Sequence, residues 1–320
     1  MFRLVVALFA LAALASAQRH AGLPPPPADP FADPKNDYLN PLRYIANNTL
    51  TAISVALVLA VGLAQTFLVI RYKTRWMLAM VIGCYTFALG LALRFGLHSQ
   101  PRSHGLYIAE YLFVVLSPCA FIAAEYVLLG RLAHFLRADE HLLIRPQRIT
   151  KVFVLSDLST FLVQATGGAI SASANSVKSN KVGSRVFLVG LILQLISFVV
   201  FVCVFGNFLA RLRTHAPATW NAKGWKVLLG AMMVSFTGIL VRSIYRVIEL
   251  SQGYAGHLAT TESFFYALDT LPLFVAISVF VVFWPGRWIT SPEARLGGVE
   301  EKESGSVEMG SREGVEEGRQ

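Results

Sequence analysis

The sequence predicts an all-α membrane protein, a bundle of seven transmembrane helices. Of its 320 residues, 55% are hydrophobic and 15% are charged, and the mean hydropathy is +0.55. A soluble domain carries roughly 25% charged residues, so this chain has too little polar surface for a soluble fold. The net charge of +9 comes from basic residues at the ends of apolar runs. No basic stripe beside aromatic residues is present, and we expect no nucleic acid partner.

Residues 1–17 match a secretory signal peptide. Arg3 precedes an apolar core from Leu4 to Leu14, and Ala15-Ser16-Ala17 has the small-x-small pattern of a cleavage site. An uncleaved anchor is the alternative, but the core is shorter than the ~20 residues that a span needs.

Residues 18–44 form a proline-rich leader, which includes four consecutive prolines from Pro24 to Pro27. Because this composition favours extended chain, we expect the leader to be poorly packed and exoplasmic. Asn47-Asn48-Thr49 is a glycosylation sequon. Asn47 is therefore a candidate for modification, although it lies at the edge of the first apolar run.

Seven apolar runs are long enough to cross the roughly 30 Å hydrocarbon core. They lie at about 45–70, 76–97, 106–130, 149–171, 186–210, 226–250 and 262–285. Lys and Arg collect after the first, third and fifth runs, which the positive-inside rule assigns to the cytoplasm. The loop after the fourth run is an exception to this rule, since it contains Lys178, Lys181 and Arg185 on the predicted exoplasmic side. All five tryptophans, however, fall at the predicted cytoplasmic boundary.

The predicted topology is therefore N-out and C-in. Residues 45–288 make up the seven-span domain. Residues 289–320 are rich in Glu, Gly and Ser and nearly devoid of apolar residues, and we expect them to form a disordered acidic tail in the cytosol.

Ionisable residues recur inside the spans, although each costs about 2.5–3.5 kcal/mol or more there. In the sixth span they repeat at helical spacing on one face: Arg242, Tyr245, Arg246 and Glu249. The seventh span repeats this pattern with Glu262, Tyr266 and Asp269. Together with Arg94 and Glu110, which lie near the outer ends of their spans, these residues predict paired charges around a pocket open to the exoplasmic side.

A second group of polar residues is expected deeper in the membrane. Asp157 and Gln164 are aligned on the fourth span, and Glu125 lies toward the cytoplasmic end of the third. For any one of these residues the alternative is a structural ion pair or hydrogen bond that fixes helix register. Gly167-Gly168 allows close approach of a helix or of a ligand, and we favour the helix.

The sequence contains no pattern typical of an enzyme or a cofactor protein. Its three cysteines lie inside spans and its seven histidines lie in loops or at span ends, which disfavours haem or zinc within the bundle. No GxSxG, HExxH or phosphate-binding glycine loop is present. We expect no catalytic residues, no metal and no cofactor.

Five stretches carry a family resemblance: EYLFVVLSPCAFIAAEYVLLGR from Glu110, SDLSTFLVQATGGAISA from Ser156, GLILQLISF from Gly190, VRSIYRVIEL from Val241 and ESFFYALDTLPL from Glu262. Over roughly residues 44–288 the chain resembles the fungal resistance-to-aminocholesterol, or RTA-like, family of lipid-translocating exporters. The resemblance implies a seven-span protein that moves sphingoid long-chain bases or confers resistance to sterol-like toxic compounds, with porphyrin movement in one branch. Its matching positions are Glu110, Pro118, Glu125, Arg131, Asp157, Gln164, Gly167, Gly168, Gln194, Arg242, Tyr245, Arg246, Glu249, Glu262 and Asp269.

We therefore predict a translocator of amphipathic lipids that contributes to lipid or drug resistance, with membrane lipids and an amphipathic small molecule as its partners. We expect it in the plasma membrane, with the vacuole or endoplasmic reticulum as alternatives. The candidate ligand-binding residues are Arg94, Glu110, Glu125, Asp157, Gln164, Arg242, Tyr245, Arg246, Glu249, Glu262, Tyr266 and Asp269.

For a cationic sphingoid base, Asp157, Glu110 and Asp269 are the predicted counter-charges. No nucleotide-binding loop is present, so the mechanism does not include ATP hydrolysis by this chain. The alternative function is a receptor-like lipid sensor, because N-out and C-in with seven spans is also the receptor topology. A lipid-modifying enzyme is disfavoured, and the substrate, the transport direction and the oligomeric state stay open.

Overall fold

The computed structural model describes residues 29–37, 39–142, 146–172, 177–221, 224–253 and 256–289, and this part of the chain is helical, without strands. The predicted signal peptide and the predicted acidic tail from residue 290 onward lie outside the described residues. The leader is described only from residue 29.

Seven long helices account for most of the described chain. They are α1 (Asn48–Tyr72), α2 (Leu78–Ser99), α3 (His104–Phe135), α4 (Pro146–Ala172), α5 (Val177–His215), α6 (Trp225–Ser251) and the composite α7 (262–282). Each contains a stretch long and apolar enough to span a membrane, which confirms the seven predicted spans. Four short helices lie at the helix ends: Arg75–Met77, Asp139–His141, Pro217–Asn221 and Pro285–Ile289.

Helix α7 changes its winding along its length. It begins with Glu262–Phe264, widens into π-helix over Phe265–Thr270 and continues as α-helix over Leu271–Val282. Pro272 stands in the first turn of that last segment, where a missing N–H is tolerated. The π-helical turns contain Asp269 and set its carboxylate toward α6.

The helices form a closed bundle. Each packs against the next in sequence, and α7 closes the bundle by packing against α1. Helix α3 is the central one, since 61% of its apolar span is buried by protein, against 33% to 50% for the other six. The core beside it is aromatic: Tyr126 packs edge-on against Phe201, and Phe236 against Phe205.

Helices α4 and α5 approach each other through glycines. A Cβ atom on Gly167 would collide with the backbone of Phe187, and one on Gly183 with the backbone of Ser171. A Cβ atom on Gly190 would lie 2.6 Å from Cγ of Gln164. Gly167 therefore serves helix packing, as expected, and α4 and α5 form a tightly joined pair.

The described residues between 29 and 47, which comprise the later part of the leader and the three residues before α1, are here called the leader segment and pack against one end of the bundle. We call this the leader end. Asp37 and Asn40 are buried, and the Asp37 carboxylate accepts a 2.7 Å hydrogen bond from Nε of Arg102. The Asp37 and Asn40 side chains also accept hydrogen bonds from backbone N–H groups two residues on, which folds the segment into turns. The expectation of a poorly packed leader is wrong here, because composition excluded a helix but not turns.

Candidate functional site

Arg94 joins four parts of the chain at the leader end. Its guanidinium pairs with Glu110 of α3 at 3.2 Å and with Glu262 of α7 at 3.1 Å, and it donates to the Tyr44 hydroxyl of the leader segment at 2.9 Å. The Arg94 side chain is 1% exposed. A buried arginine of this kind requires such partners, because an uncompensated charge in a low-dielectric interior is strongly destabilising.

A second set of ion pairs joins α6 to α7. Arg246 donates from Nε and Nη2 to the two carboxylate oxygens of Asp269, at 2.7 and 2.8 Å, and from Nη1 to Glu249 at 2.9 Å. Arg242, one turn earlier, lies 3.1 Å from the same Asp269 carboxylate and donates to the carbonyl oxygen of Val114 at 2.6 Å. One aspartate thus pairs with two arginines of α6.

Between these two sets lies a small cavity of about 40 Å³, larger than the ~10–15 Å³ that one water molecule needs. Its lining combines residues from the leader segment, α2, α3, α6, the loop after α6 and α7: Pro41, Leu42, Tyr44, Arg94, Tyr107, Glu110, Tyr111, Arg246, Glu249, Leu250, Gly253, Leu258, Ala259 and Phe265. The ring centroid of Phe265 lies 4.1 Å from Cζ of Arg94, and the ring centroid of Tyr111 lies 5.4 Å from Cζ of Arg246. The arginines therefore pack on aromatic faces as well as on carboxylates.

The charges around this cavity do not cancel. Three arginines face four carboxylates, Glu110, Glu249, Glu262 and Asp269, so the fully ionised cluster has a net charge of 3 − 4 = −1. Burial raises the pKa of Tyr44 to about 12, against the opposing effect of Arg94. Tyr44 is therefore neutral near pH 7 and keeps a proton to donate.

A second set of polar side chains lies between α3, α4 and α5. It comprises Cys119, Gln164, Gln194, Asp157 and Ser197 and is here called the polar seam. The Gln194 amide donates to Cys119 at 3.1 Å and accepts from the Gln164 amide at 2.8 Å. Within the described part of the chain, the buried Gln164 carbonyl oxygen accepts no hydrogen bond. A buried acceptor without a hydrogen-bond partner is energetically costly.

Asp157 lies farther along the same seam. Its carboxylate accepts from the Tyr126 hydroxyl of α3 at 2.8 Å and from Ser197 of α5 at 3.2 Å. Ser197 also accepts from Ser156 at 3.3 Å. Among the described residues, Asp157 has no ion pair, which distinguishes it from Glu110 and Asp269.

Glu125 lies apart from both groups. It is fully buried, with no ion pair within the described residues, and interacts with the Ser235 hydroxyl of α6. Neither of its oxygens makes a hydrogen bond of good geometry in the structure.

The structure thus divides the predicted residues into three places. Seven meet at the leader end: Arg94, Glu110, Arg242, Arg246, Glu249, Glu262 and Asp269. Tyr245 contacts Glu249 at 3.4 Å, and Tyr266 bonds to Thr51 at 2.9 Å beside Arg94. Asp157 and Gln164 belong to the seam, and Glu125 is separate. Ligand binding by any of them stays a prediction.

Of the three predicted counter-charges, Glu110 alone lines the cavity. Asp269 is fully buried behind the arginines, and Asp157 bonds to Tyr126 and Ser197 instead. Spacing along single helices placed each residue on a face but did not show which faces meet.

The cavity also contains residues that the sequence analysis did not single out. Tyr107 and Tyr111 could have been found, since they flank Glu110 at helical spacing. Tyr44, Pro41 and Leu42 carried no signal, because nothing local indicates that the leader folds back onto the helices.

Asn47 begins α1. Its side-chain oxygen accepts from the backbone N–H groups of Thr49 and Leu50, and its own N–H donates to Glu262 at 2.9 Å. This is the hydrogen bonding of a helix N-cap. Its glycosylation stays a prediction.

Seven apolar helices with buried ion pairs at one end define an integral, multi-pass membrane protein. The chain belongs to the RTA1-like family, since the model of that family, described as "RTA1 like protein", matches residues 80–292.

Its relatives include three proteins of Saccharomyces cerevisiae. Protein RTA1 is 33% identical over 208 residues, which are 64% of either chain. Protoporphyrin uptake protein 1 is 30% identical over 62% of this chain and 65% of its own length. The sphingoid long-chain base transporter RSB1 is 25% identical over 62% of this chain and 61% of its own. The chain thus spans less than two thirds of the length of these relatives, and no solved structure matches it.

Proposed function

We propose that this protein translocates an amphipathic lipid across its membrane, with the lipid headgroup bound in the leader-end cavity. The observation that carries the proposal is a small cavity lined by buried charges at one end of a bundle of seven apolar helices. Buried ionisable residues in a membrane are costly and are found mainly where a polar substrate or ion must pass. The names of the relatives, a long-chain base transporter and a porphyrin uptake protein, support the same class of function.

The charge of the cavity favours a cationic headgroup such as the amine of a sphingoid long-chain base. Glu110 and Glu249 line the cavity, and the cluster has one carboxylate more than it has arginines. Leu250, Leu258 and Phe265 provide an apolar wall for the adjoining chain. In this proposal Asp269 positions Arg242 and Arg246 and does not touch the lipid.

The polar seam provides a second set of hydrogen-bonding groups for the headgroup. Gln164 and Gln194 lie between the leader-end cluster and Asp157, so a headgroup leaving the cavity meets hydrogen-bonding groups before it meets the aromatic core. We place the leader end on the exoplasmic side, in agreement with the positive-inside rule. The plasma membrane is the proposed location.

Reconstitution of the purified protein in liposomes tests the proposal. Labelled sphingoid bases, sterols and porphyrin are presented separately, and transfer between leaflets is followed without ATP. We expect transfer of a cationic base and a marked loss of it in Glu110→Gln. The matched control is Glu140→Gln, which makes the same change on an exposed residue outside the bundle. Absence of transfer for every lipid would reject the translocator.

A lipid sensor is the second candidate, favoured by one observation. The cavity lies at the leader end, and Phe198, Phe201, Phe205 and Phe236 are buried in the aromatic core beyond it. A sensor needs no path through that core. It would bind the labelled base with an affinity that Glu110→Gln reduces, yet leave the lipid in its original leaflet.

A further inference from the structure

Glu125 is a buried acid that the proposed headgroup site does not use. It lies on α3, the central helix, and is 0% exposed. Its neighbours along the helix are equally buried: Phe121, Ala124, Tyr126 and Leu128. Glu125 interacts with the Ser235 hydroxyl of α6, and Ser235 is itself only 1% exposed.

The ionisable groups of the surrounding elements are engaged elsewhere. On α2 the Cys84 thiol contacts Gln65, and on α4 Asp157 bonds to Tyr126, whose side chain faces away from Glu125 toward the seam. On α6, Arg242 and Arg246 are held by Asp269 of α7. Arg131, farther along α3, packs on Trp76. Within the described residues, no cation compensates Glu125.

An isolated carboxylate in such surroundings is the least favourable state of this side chain, since neither water nor a cation stabilises its charge. A carboxylic acid has no net charge and forms a donor–acceptor pair with a hydroxyl. The contrast with the leader end is sharp, because every acid in that cluster has an arginine.

From this geometry we infer that Glu125 is a proton-binding site inside the bundle and that its proton is exchanged during the transport cycle. The inference rests on the proposed translocator function. Ser235 lies on the same helix as Arg242 and Arg246, so a movement of α6 caused by a ligand at the leader end also changes the surroundings of Glu125. A step that exposes Glu125 to one side of the membrane releases the proton, and return to the buried state requires its rebinding. Lipid movement would thereby respond to a proton gradient.

Infrared difference spectroscopy tests proton binding without any transport assay. The C=O stretch of a carboxylic acid is distinct from the bands of a carboxylate, and we expect wild-type protein at neutral pH to show an acid band that is missing from Glu125→Gln. Ser235→Ala should shift this band, because the acid loses its hydroxyl partner. An identical spectrum for wild type and Glu125→Gln overturns the inference.

Flux across liposomes with and without a pH gradient tests the coupling. We expect the gradient to change wild-type flux several-fold, the change to be lost in Glu125→Gln and to be retained in Glu125→Asp, which still carries an acid. Glu125→Asp also guards against a folding defect in the other variant. Coupling is overturned if the pH gradient leaves wild-type lipid flux unchanged, or if it changes the flux of Glu125→Gln as much as that of wild type. If wild type moves no lipid at all, the translocator and the coupling both fail, whereas the infrared band still decides whether Glu125 binds a proton.

Discussion

At the residue scale, the leader-end cluster shows how few side chains hold four parts of the chain together. Arg94 binds the leader segment, α3 and α7 at once. Asp269 binds both arginines of α6. Removal of one partner from a buried pair costs about 3–5 kcal/mol, because the charge that remains is uncompensated. Such residues are therefore expected to affect stability before they affect selectivity.

Asp269→Asn provides a direct test of this expectation. The substitution leaves Arg242 and Arg246 without a common counter-charge, so we expect a large fall in the melting temperature in detergent. Glu249→Gln is the matched comparison, because Glu249 pairs with Arg246 alone and its side chain is 13% exposed. We expect a clearly smaller effect for Glu249→Gln. Equal melting temperatures for the two variants would show that Asp269 does not organise the cluster.

Tyr44 gives a prediction for alkaline pH. Because the folded pKa of about 12 lies above the usual value near 10, the neutral phenol stabilises the fold fully below pH ~10, and this stabilisation is lost as the pH rises toward 12. Tyr44→Phe cannot ionise. We expect the difference in melting temperature between wild type and this variant to change in the alkaline range alone, and a constant difference would contradict the assignment.

At the scale of elements, the helices were the most predictable feature and their winding the least. Hydropathy locates a span because the bilayer requires about 20 apolar residues. It does not distinguish π-helix from α-helix, so the wide turns at Phe265–Thr270 were not foreseen. Spacing predicted the polar face of α6 correctly, since three- and four-residue offsets hold within one helix. It did not predict that Glu110 alone of the three proposed counter-charges would line the cavity, because that depends on helix rotation and on the neighbouring helices.

The α4–α5 pair offers a comparison between adjacent glycines. Gly167→Ala places a methyl group against the backbone of Phe187, which cannot yield without separating the helices. Gly168→Ala brings the methyl group to 3.6 Å from the Phe187 ring, an ordinary contact. We expect Gly167→Ala to destabilise the fold by about 1–3 kcal/mol and Gly168→Ala to be tolerated. Similar unfolding temperatures for the two would contradict the close packing.

At the scale of the whole molecule, the leader segment forms one wall of the cavity. Pro41, Leu42 and Tyr44 form part of the cavity lining, and the Asp37–Arg102 ion pair fastens the segment to the bundle. This arrangement was not predictable from the sequence, since a proline-rich leader shows local conformation but not tertiary contacts. The helical bundle follows from composition. The contact of the leader segment with the cavity does not follow from composition.

Asp37→Asn tests the fastening. The variant weakens the charged contact with Arg102, so we expect a labelled lipid to enter and leave the cavity several-fold faster, with a smaller change in affinity. Asp33→Asn makes the same change in the same segment at an exposed residue, whose carboxylate accepts hydrogen bonds from neighbouring Asn36. Stopped-flow fluorescence measures both rates. Unchanged rates in Asp37→Asn would mean that the leader segment does not limit access.

The contact between the two ends of the described chain also bears on synthesis. Asn47 donates to Glu262 across 215 residues of sequence, and Arg94 binds that same carboxylate oxygen. During translation α1 and α2 enter the membrane long before α7 exists, so Arg94 must wait for one of its counter-charges until the last helix is inserted. The leader-end cluster therefore completes late, and a nascent chain truncated before α7 has Glu110 as a carboxylate partner for Arg94 but lacks Glu262.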